Sequence, residues 1–523
     1  MNAWAKVQIR AHPCKSVARN LKHQSPTRPT SPARTAAFDI LLRVARENAY
    51  ASELLHSSRY ASLSSADHGL ATELVLGVLR WRSRLDELIA KASFQPLHKL
   101  DPEVLESLRI AAYQVFFLQR IPAHAAINDS VELVKRARKK SAAPFVNAVL
   151  RKLSNKPAEP PVSLADPADT LAQNFAHPRW LVERWIAQYG AEATARICAY
   201  DQQPPPTAIR LRDPAAEQQL RDAGITLDPG ALLSSARIVV SGDSTSTAPF
   251  REGRVVIQDE GSQLVAALVG HGARILDCCC APGGKTSILA DANPSSPVLA
   301  LELHPHRARL TGKLVRQKNV RVISADARHL PVSVPFDRVL VDVPCSGTGT
   351  LARNPEIKWR LDGEDFGNGH SPNLSLAVER KGEDRVPHPS RAFRERVGVL
   401  DRSQIPLRRP SRGSFARMLD TQLAILKSAL QQLGPGGRLV YSSCSLEREE
   451  NQSIVERAVS TTPNVRVIDM RDQLESLHRS GDLTCPDLSS LADGPYLRTI
   501  PGIHPCDGFF ASIIERSESG RQV

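Results

Sequence analysis

Two cysteines, Cys345 and Cys444, stand just past apolar, strand-like runs, in DVPCSGTGT (342–350) and YSSCS (441–445). That placement puts both at the carboxyl edge of an α/β sheet, the side on which such sheets bind ligands. A thiolate there can attack an electron-poor carbon. The C5 of a pyrimidine is too weak a nucleophile to take a methyl group unaided. Thiolate addition at C6 creates enolate-like density at C5, which can attack a methyl sulfonium. A base then removes the C5 proton and the thiol leaves. Free cysteines are also common in packed interiors, so this pair is read together with its neighbours. Pro344 precedes one thiol, a Ser/Thr/Gly-rich turn follows it, and serines flank the other.

The partner for that chemistry lies upstream. Residues 275–286, ILDCCCAPGGKT, run from an apolar strand through Asp277 and the turn at Pro282, Gly283 and Gly284 into a helix. A strand, a glycine turn and a helix N-terminus form a nucleotide-type site. The turn lacks the full G-x-G-x-x-G, which weakens NAD or FAD and suits S-adenosylmethionine, a cofactor with no pyrophosphate to cradle. Glu302 ends the next strand, 25 residues after Asp277, where an acid accepts the ribose hydroxyls of an adenosine. Asp326 follows the third strand and can reach the adenine amino group. Cys278, Cys279 and Cys280 are consecutive and cannot all face one metal, and no CxxC occurs, so no metal site is expected. They read as packing and loop residues.

These residues need elements to carry them. From about Gly261 the chain alternates β and α. Strands are expected at 275–277, 298–301, 320–323, 337–341 and 439–442, with closing strands at 465–468 and 509–514. Helices are expected at 418–433 and 449–458, with a turn at 434–437. The expectation is a mostly parallel sheet with helices on both faces, in an α/β domain over 261–515. Before it, residues 34–153 carry apolar residues at helical spacing, such as Ala37, Ile40, Leu41 and Val44, and read as an all-α domain. Asp101-Pro102 reads as an N-cap with proline at the first helical position. Prolines at 157, 160, 161 and 167 mark a linker over 154–170. Residues 171–260 read as a small α+β region, with short strands at 207–211, 238–240 and 254–257.

Two stretches fall outside this order. Residues 1–33 hold no Asp or Glu and several Lys and Arg. They read as a disordered basic arm, with a transit peptide or a misassigned start as alternatives. From 367 to 414 the hydrophobic period vanishes into Arg, Pro, Ser and Gly, which reads as a disordered insertion. Removing it and merging Phe366 with Phe415 gives GEDFARMLDTQLAIL, a continuous helix start. An RNA-binding insert and an inert one both fit. Residues 516–523 are a tail.

With 523 residues, 41% hydrophobic content and a net charge of +13 (pI about 9.5), the chain is a multidomain protein suited to a polyanionic partner. Lys135, Arg136, Arg138, Lys139 and Lys140 form a cluster dense enough for phosphate contact. No apolar run approaches a membrane span, unpaired cysteines suit a reducing compartment, and a cytoplasmic location is expected.

At these residues the chain resembles the RsmB/Sun ribosomal RNA cytosine-C5 methyltransferases of the Nol/Nop/Sun group. CCAPGGK (279–285) is similar to the family's cofactor loop, usually CAAPGGK. ALELHPHR (300–307), SADAR (324–328), LVDVPCSGTG (340–349), NPEIKW (354–359), GGRLVYSSCSLEREEN (436–451) and DGFF (507–510) fall in the family order. HGLATELVLGVLRWRSRLD (68–86), IPAHAAINDSVELVK (121–135) and FVNAVLRKL (145–153) resemble a NusB-type RNA-binding domain. The resemblance implies a NusB-like all-α domain followed by a Rossmann-like S-adenosyl-L-methionine-dependent methyltransferase domain. It implies Cys444 as nucleophile, Cys345 as the cysteine assisting product release, and Asp342 against the cofactor or the base. Cys279, Cys280, Ala281, Pro282, Gly283, Gly284 and Lys285 would form the cofactor loop with Glu302 and Asp326. Lys358 of NPEIKW joins the RNA-contact candidates. The implied product is 5-methylcytosine in 16S rRNA, as free or early-assembly RNA, made by a monomer. A tRNA enzyme of the same chemistry and a non-catalytic assembly factor are the competing readings. The NusB-like region argues against the first. The joint presence of Cys345, Cys444, Glu302 and Asp326 argues against the second.

Overall fold

The computed structural model describes residues 30–155, 162–332, 334–361, 363–366 and 414–518. The basic arm up to residue 29 and nearly all of the 367–414 segment lie outside those residues.

The N-terminal unit is helical: α1 (Pro32–Glu47), α2 (Ala51–Leu55), α3 (Ser65–Arg80), α4 (Arg82–Ser93), α5 (Pro102–Phe117), α6 (Ala123–Arg136) and α7 (Ala143–Ser154). The periodic apolar residues converge on one core. Ile40 and Leu41 of α1, Leu74 and Val78 of α3, Leu108 and Ile110 of α5 and Leu150 of α7 are all buried in it. Each such side chain contributes roughly 1.5–3 kcal/mol of hydrophobic stabilisation. Gly77 lets α5 approach, since a Cβ there would fall 2.0 Å from the Tyr113 ring. Helix α1 starts at Pro32, inside the expected arm, because proline is suited to a first helical position. Asp101 precedes α5 as expected, but its side chain makes no cap bond and pairs with Lys139 at 2.9 Å.

The expected linker is corrected at its end. Pro167 opens α8 (Pro167–Asn174), with Asp166 accepting from the Ala168 N–H as N-cap. Proline there initiates a helix rather than breaking one. Helix α9 (Arg179–Asp201) follows, interrupted at Gly190. Next come β1 (Thr207–Leu211), α10 (Ala216–Asp222), β2 (Thr226–Pro229), β3 (Ala236–Ser241), α11 (Ala248–Arg251) and β4 (Val255–Ile257). The four strands form an antiparallel sheet ordered β2-β3-β1-β4. Strand β2 was not legible: TLDP has weak strand chemistry, and as an edge strand it tolerates its proline.

The C-terminal unit runs α12 (Glu260–Ala267), β5 (Ile275–Asp277), α13 (Gly284–Ala292), β6 (Val298–Glu302), α14 (Pro305–Leu314), β7 (Val320–Ser324), β8 (Phe336–Asp342), α15 (Ser414–Gln431), β9 (Leu433–Ser443), α16 (Gln452–Val459), β10 (Val465–Ile468), α17 (Met470–Arg479), β11 (Ala492–Asp493), β12 (Tyr496–Arg498) and β13 (Phe510–Arg516). Its sheet is mixed. Strands β9-β8-β5-β6-β7 are parallel neighbours, and β13, β12, β11 and β10 close one side antiparallel. The chain builds outward from β5 through β6 to β7, then returns to lay β8 on the other side of β5. That reversal is a topological switch point, and the crevice beyond it is where open α/β sheets bind ligands. The expected turn at 434–437 appears as an irregularity inside β9, with Gly436 at φ 67°. Helix α15 starts at Ser414, four residues before its expected start, and the Phe366 and Phe415 rings pack at a 31° tilt with centroids 3.9 Å apart.

The segment that leaves Cys345 is moored on the helical unit. Glu356 accepts from the Ala51 N–H (2.8 Å), and Arg80 donates to the Ala352 carbonyl (2.8 Å). Lys358 and Trp359 donate to the carbonyls of Arg80 (2.9 Å) and Leu79 (2.6 Å). These bonds satisfy carbonyls that the end of α3 leaves open. Lys358 is therefore not an RNA-facing lysine: it is 1% exposed. A lone lysine usually reads as solvated, and only the tertiary contact removes this one from solvent.

Burial lowers the Lys358 ammonium to about 7 from its ordinary 10.5, against the raising effect of Asp201. Between those values the unfolded chain binds a proton that the folded chain does not, so stability rises with pH. Urea unfolding of wild type and Lys358→Met between pH 7 and 10 should show this. The wild type should gain up to about 1.4 kcal/mol per pH unit relative to the variant. Parallel profiles would refute the buried-ammonium assignment.

Candidate active site

The turn after β5 is pinned to the sheet by its own backbone. The Cys278 N–H bonds to the Leu340 carbonyl (2.9 Å) and the Cys280 N–H to that of Leu301 (2.8 Å). Asp277 is buried at the strand end. It accepts from Thr286 Oγ1 (2.7 Å) of α13 and the Cys279 N–H (3.3 Å), tying strand to helix. Burial pushes its carboxyl up to about 6 despite those bonds. Gly283 adopts φ 108°, a conformation that favours glycine, and no side chain caps the helix N-terminus behind it. Burial pushes the Cys278, Cys279 and Cys280 thiols up, so these three are neutral loop residues.

The acids stand at successive strand ends. Glu302 is nearly buried and accepts from the His304 N–H (2.9 Å). Asp326 lies two residues past β7, and Arg328, bonded to both its oxygens, holds its carboxyl below the usual range. Asp342 ends β8. Its two oxygens accept from Lys285 Nζ (2.8 Å) and Ser442 Oγ (2.7 Å). Burial would lower the Lys285 ammonium, but Asp342 outweighs it and the ammonium is raised. The residues fit S-adenosylmethionine: an uncapped helix N-terminus for an anionic end, and a carboxylate at the end of β6 with acceptor capacity left for hydroxyls.

Cys345 and Cys444 come together. Strands β8 and β9 are parallel, with Asp342 opposite Ser442, so the two cysteines lie three and two residues past one register line. Their Sγ atoms are 3.2 Å apart. The hydrogen bond to Cys444, then burial, pushes the Cys345 thiol well up. Gly349 allows close approach beneath them. Its N–H bonds to the Cys444 carbonyl (2.9 Å), and a Cβ on it would fall 2.3 Å from the Gly508 carbonyl.

Glu450, unassigned from sequence although it lies within the EREEN run, holds the two cysteine loops together. Its buried carboxylate accepts from the Ser346 N–H (2.8 Å), Gln422 Nε2 (2.9 Å) and the hydroxyls of Ser346 and Ser445. Burial raises its carboxyl and these donors oppose the rise. Ser346 follows Cys345 and Ser445 follows Cys444, so one carboxylate grips both neighbours. Of the basic cluster, Lys135 pairs with Glu132 (2.7 Å) and Lys139 with Asp101, while Arg136, Arg138 and Lys140 are exposed.

A mixed sheet with five parallel strands, a glycine turn at its switch point and acids at successive strand ends marks an S-adenosylmethionine-dependent methyltransferase. Three family models match the chain: NusB family over 31–155, the RsmF/B-like ferredoxin-like domain over 177–242, and 16S rRNA methyltransferase RsmB/F over 267–376 and 396–515. The chain is 30% identical to "Probable ribosomal RNA small subunit methyltransferase B" of Bacillus subtilis, over 91% of this chain and 97% of that protein. It is 30% identical to ribosomal RNA small subunit methyltransferase B of Pseudomonas putida, over 80% and 87%. The crystal structure of PH0851 shares the fold, with a TM-score of 0.68 at 18% identity over 92% of this chain and 99% of that one. The chain belongs to the 16S rRNA methyltransferase RsmB/F family. Among the described residues, no helix is long and apolar enough to cross a membrane.

Replacing Glu450 by alanine strands several buried donors and should lower unfolding stability by about 3 kcal/mol or more. It should also slow diamide-driven cross-linking of Cys345 to Cys444, read by mass spectrometry of the linked peptides. Unchanged cross-linking would show that the strands alone set the thiol distance.

Proposed function

We propose that this chain methylates C5 of a cytosine in 16S rRNA through a covalent adduct between Cys444 and C6. The observation that carries this reading is the pair of thiols 3.2 Å apart at the ends of neighbouring strands, beside the Lys285–Asp342 pair. When bound, S-adenosylmethionine supplies an electrophilic methyl group. Glu302, Asp326 and the 279–285 loop would hold it.

The target base is unstacked into the site. Asp342, braced by Lys285 and Ser442, presents carboxylate oxygens suited to the cytosine amino group. The Cys444 thiolate adds to C6, one C–S bond forms, and the ring electrons pass to C5, which takes the methyl as the bond from methyl to sulfonium sulfur breaks and a neutral thioether leaves. Once Cys444 is bonded to carbon, the leading cause of the raised Cys345 thiol is gone. Cys345 is then free to assist removal of the C5 proton as the C6–S bond breaks and the thiolate is released. The exposed Arg136, Arg138 and Lys140, with Lys135 and Lys139, hold RNA phosphates.

Cys444→Ala should abolish methyl transfer to 16S rRNA transcripts while S-adenosylmethionine still binds by calorimetry. Turnover in that variant would overturn the nucleophile assignment. Cys345→Ala should accumulate a protein–RNA band that survives denaturation. Bisulfite mapping of ribosomal and transfer RNA from a strain lacking the gene should lose one cytosine signal in 16S rRNA, and a loss in tRNA instead would overturn the substrate.

A further inference from the structure

A cavity of about 210 Å³ opens beside Cys345, smaller than the roughly 300–1,000 Å³ of drug-sized ligand pockets. It has room for one flat ring rather than an extended ligand. Its walls come from three parts of the chain: Tyr50 just before α2, Ile357 and Arg360 of the moored segment, and Phe366 and Phe415. Tyr50 is 44% exposed, whereas Tyr60 and Tyr113 of the same helical unit are buried. The Arg360 guanidinium carbon lies 4.8 Å from the Tyr50 ring centroid, and Arg360 is fixed by its bond to the Ala49 carbonyl (2.5 Å). A half-exposed aromatic ring braced by arginine, facing a cavity walled by aromatic rings and the Cys345 thiol, is a stacking platform for a nucleobase. Cys345 lines the cavity and Cys444 does not, so the cavity lies to one side of the thiol that would bond the target base.

We propose that Tyr50, braced by Arg360, stacks on the base of a nucleotide flanking the target in the RNA strand, so that the helical unit supplies a specificity wall of the active site. This rests on the proposed cytosine methylation. Burial raises the Tyr50 phenol above its usual value; Arg360 opposes the rise, and Glu356 and both cysteines add to it.

The test uses the full chain and an oligoribonucleotide spanning the cytosine mapped by bisulfite, with versions abasic on either side of it. Tyr50→Ala should raise the KM for RNA about 10- to 100-fold with little change in S-adenosylmethionine affinity or Tm. Tyr50→Phe should restore most of the loss, because the ring and not the hydroxyl does the stacking. On one of the two abasic RNAs, wild type and Tyr50→Ala should become alike. If Tyr50→Ala unfolds, Arg360→Gln takes its place, with the same convergence on that RNA expected. An unchanged KM, or an equal penalty on every RNA, overturns the proposal. Those outcomes leave the methylation reading intact, because that reading fails only if Cys444→Ala turns over or wild type makes no 5-methylcytosine in 16S rRNA.

Discussion

The buried carboxylate of Glu450 is the constraint on which the geometry of this site depends. Parallel pairing of β8 and β9 sets Asp342 against Ser442, but pairing ends there, and both cysteines lie beyond it. Nothing in a ladder keeps two outgoing loops together. Glu450 returns to the gap from the loop after Cys444 and accepts from the residue following each cysteine. An ionised carboxylate is costly to bury without partners, and this one is stabilised by several donors at once. Because those donors belong to different loops, the loops cannot separate without stripping the carboxylate of part of its donors.

A second tie runs outward. The chain leaving Cys345 passes Gly349, which touches the backbone of Gly508, and then docks on the helical unit through Glu356, Lys358 and Trp359. The open carbonyls at the end of α3 and the buried amino group of Lys358 satisfy one another. The helical unit is thus joined to the catalytic sheet through the very segment that carries a cysteine. A shift of one relative to the other would be felt at the thiols.

The frame of this site was legible in the sequence, and its bracing was not. Strand ends could be placed because apolar runs terminate in acids and turns: 275–277 and 465–468 coincide with β5 and β10. The cysteines could be paired because both follow strands. Glu450 could not be found, since an acid in EREEN looks like a solvated helix start and its burial depends on partners 28 and 104 residues away. Lys358 misled for the same reason, as a lysine whose partner is 278 residues away. Pro167 misled differently: proline marks linkers and first helical positions alike, and the Asp166 cap decides between them. Tyr50 carried no signal, because its neighbours are supplied by the other domain.

Placement in the fold, rather than exposure alone, sorts the cysteines, since Cys279 is half-buried like Cys345 and Cys444. Cys278 and Cys280 sit in the loop that the fold needs rigid, and burial raises their thiols out of reach of neutral pH. Cys345 and Cys444 are half-buried beyond the strand ends, Cys345 beside a cavity and both near the Lys285–Asp342 pair. A thiolate forming there meets the Lys285 ammonium nearby, and Asp342 keeps that ammonium charged. The same acid therefore does two things at once. It holds the Lys285 ammonium in place beside the cysteines, and it anchors the Ser442 hydroxyl two residues before Cys444.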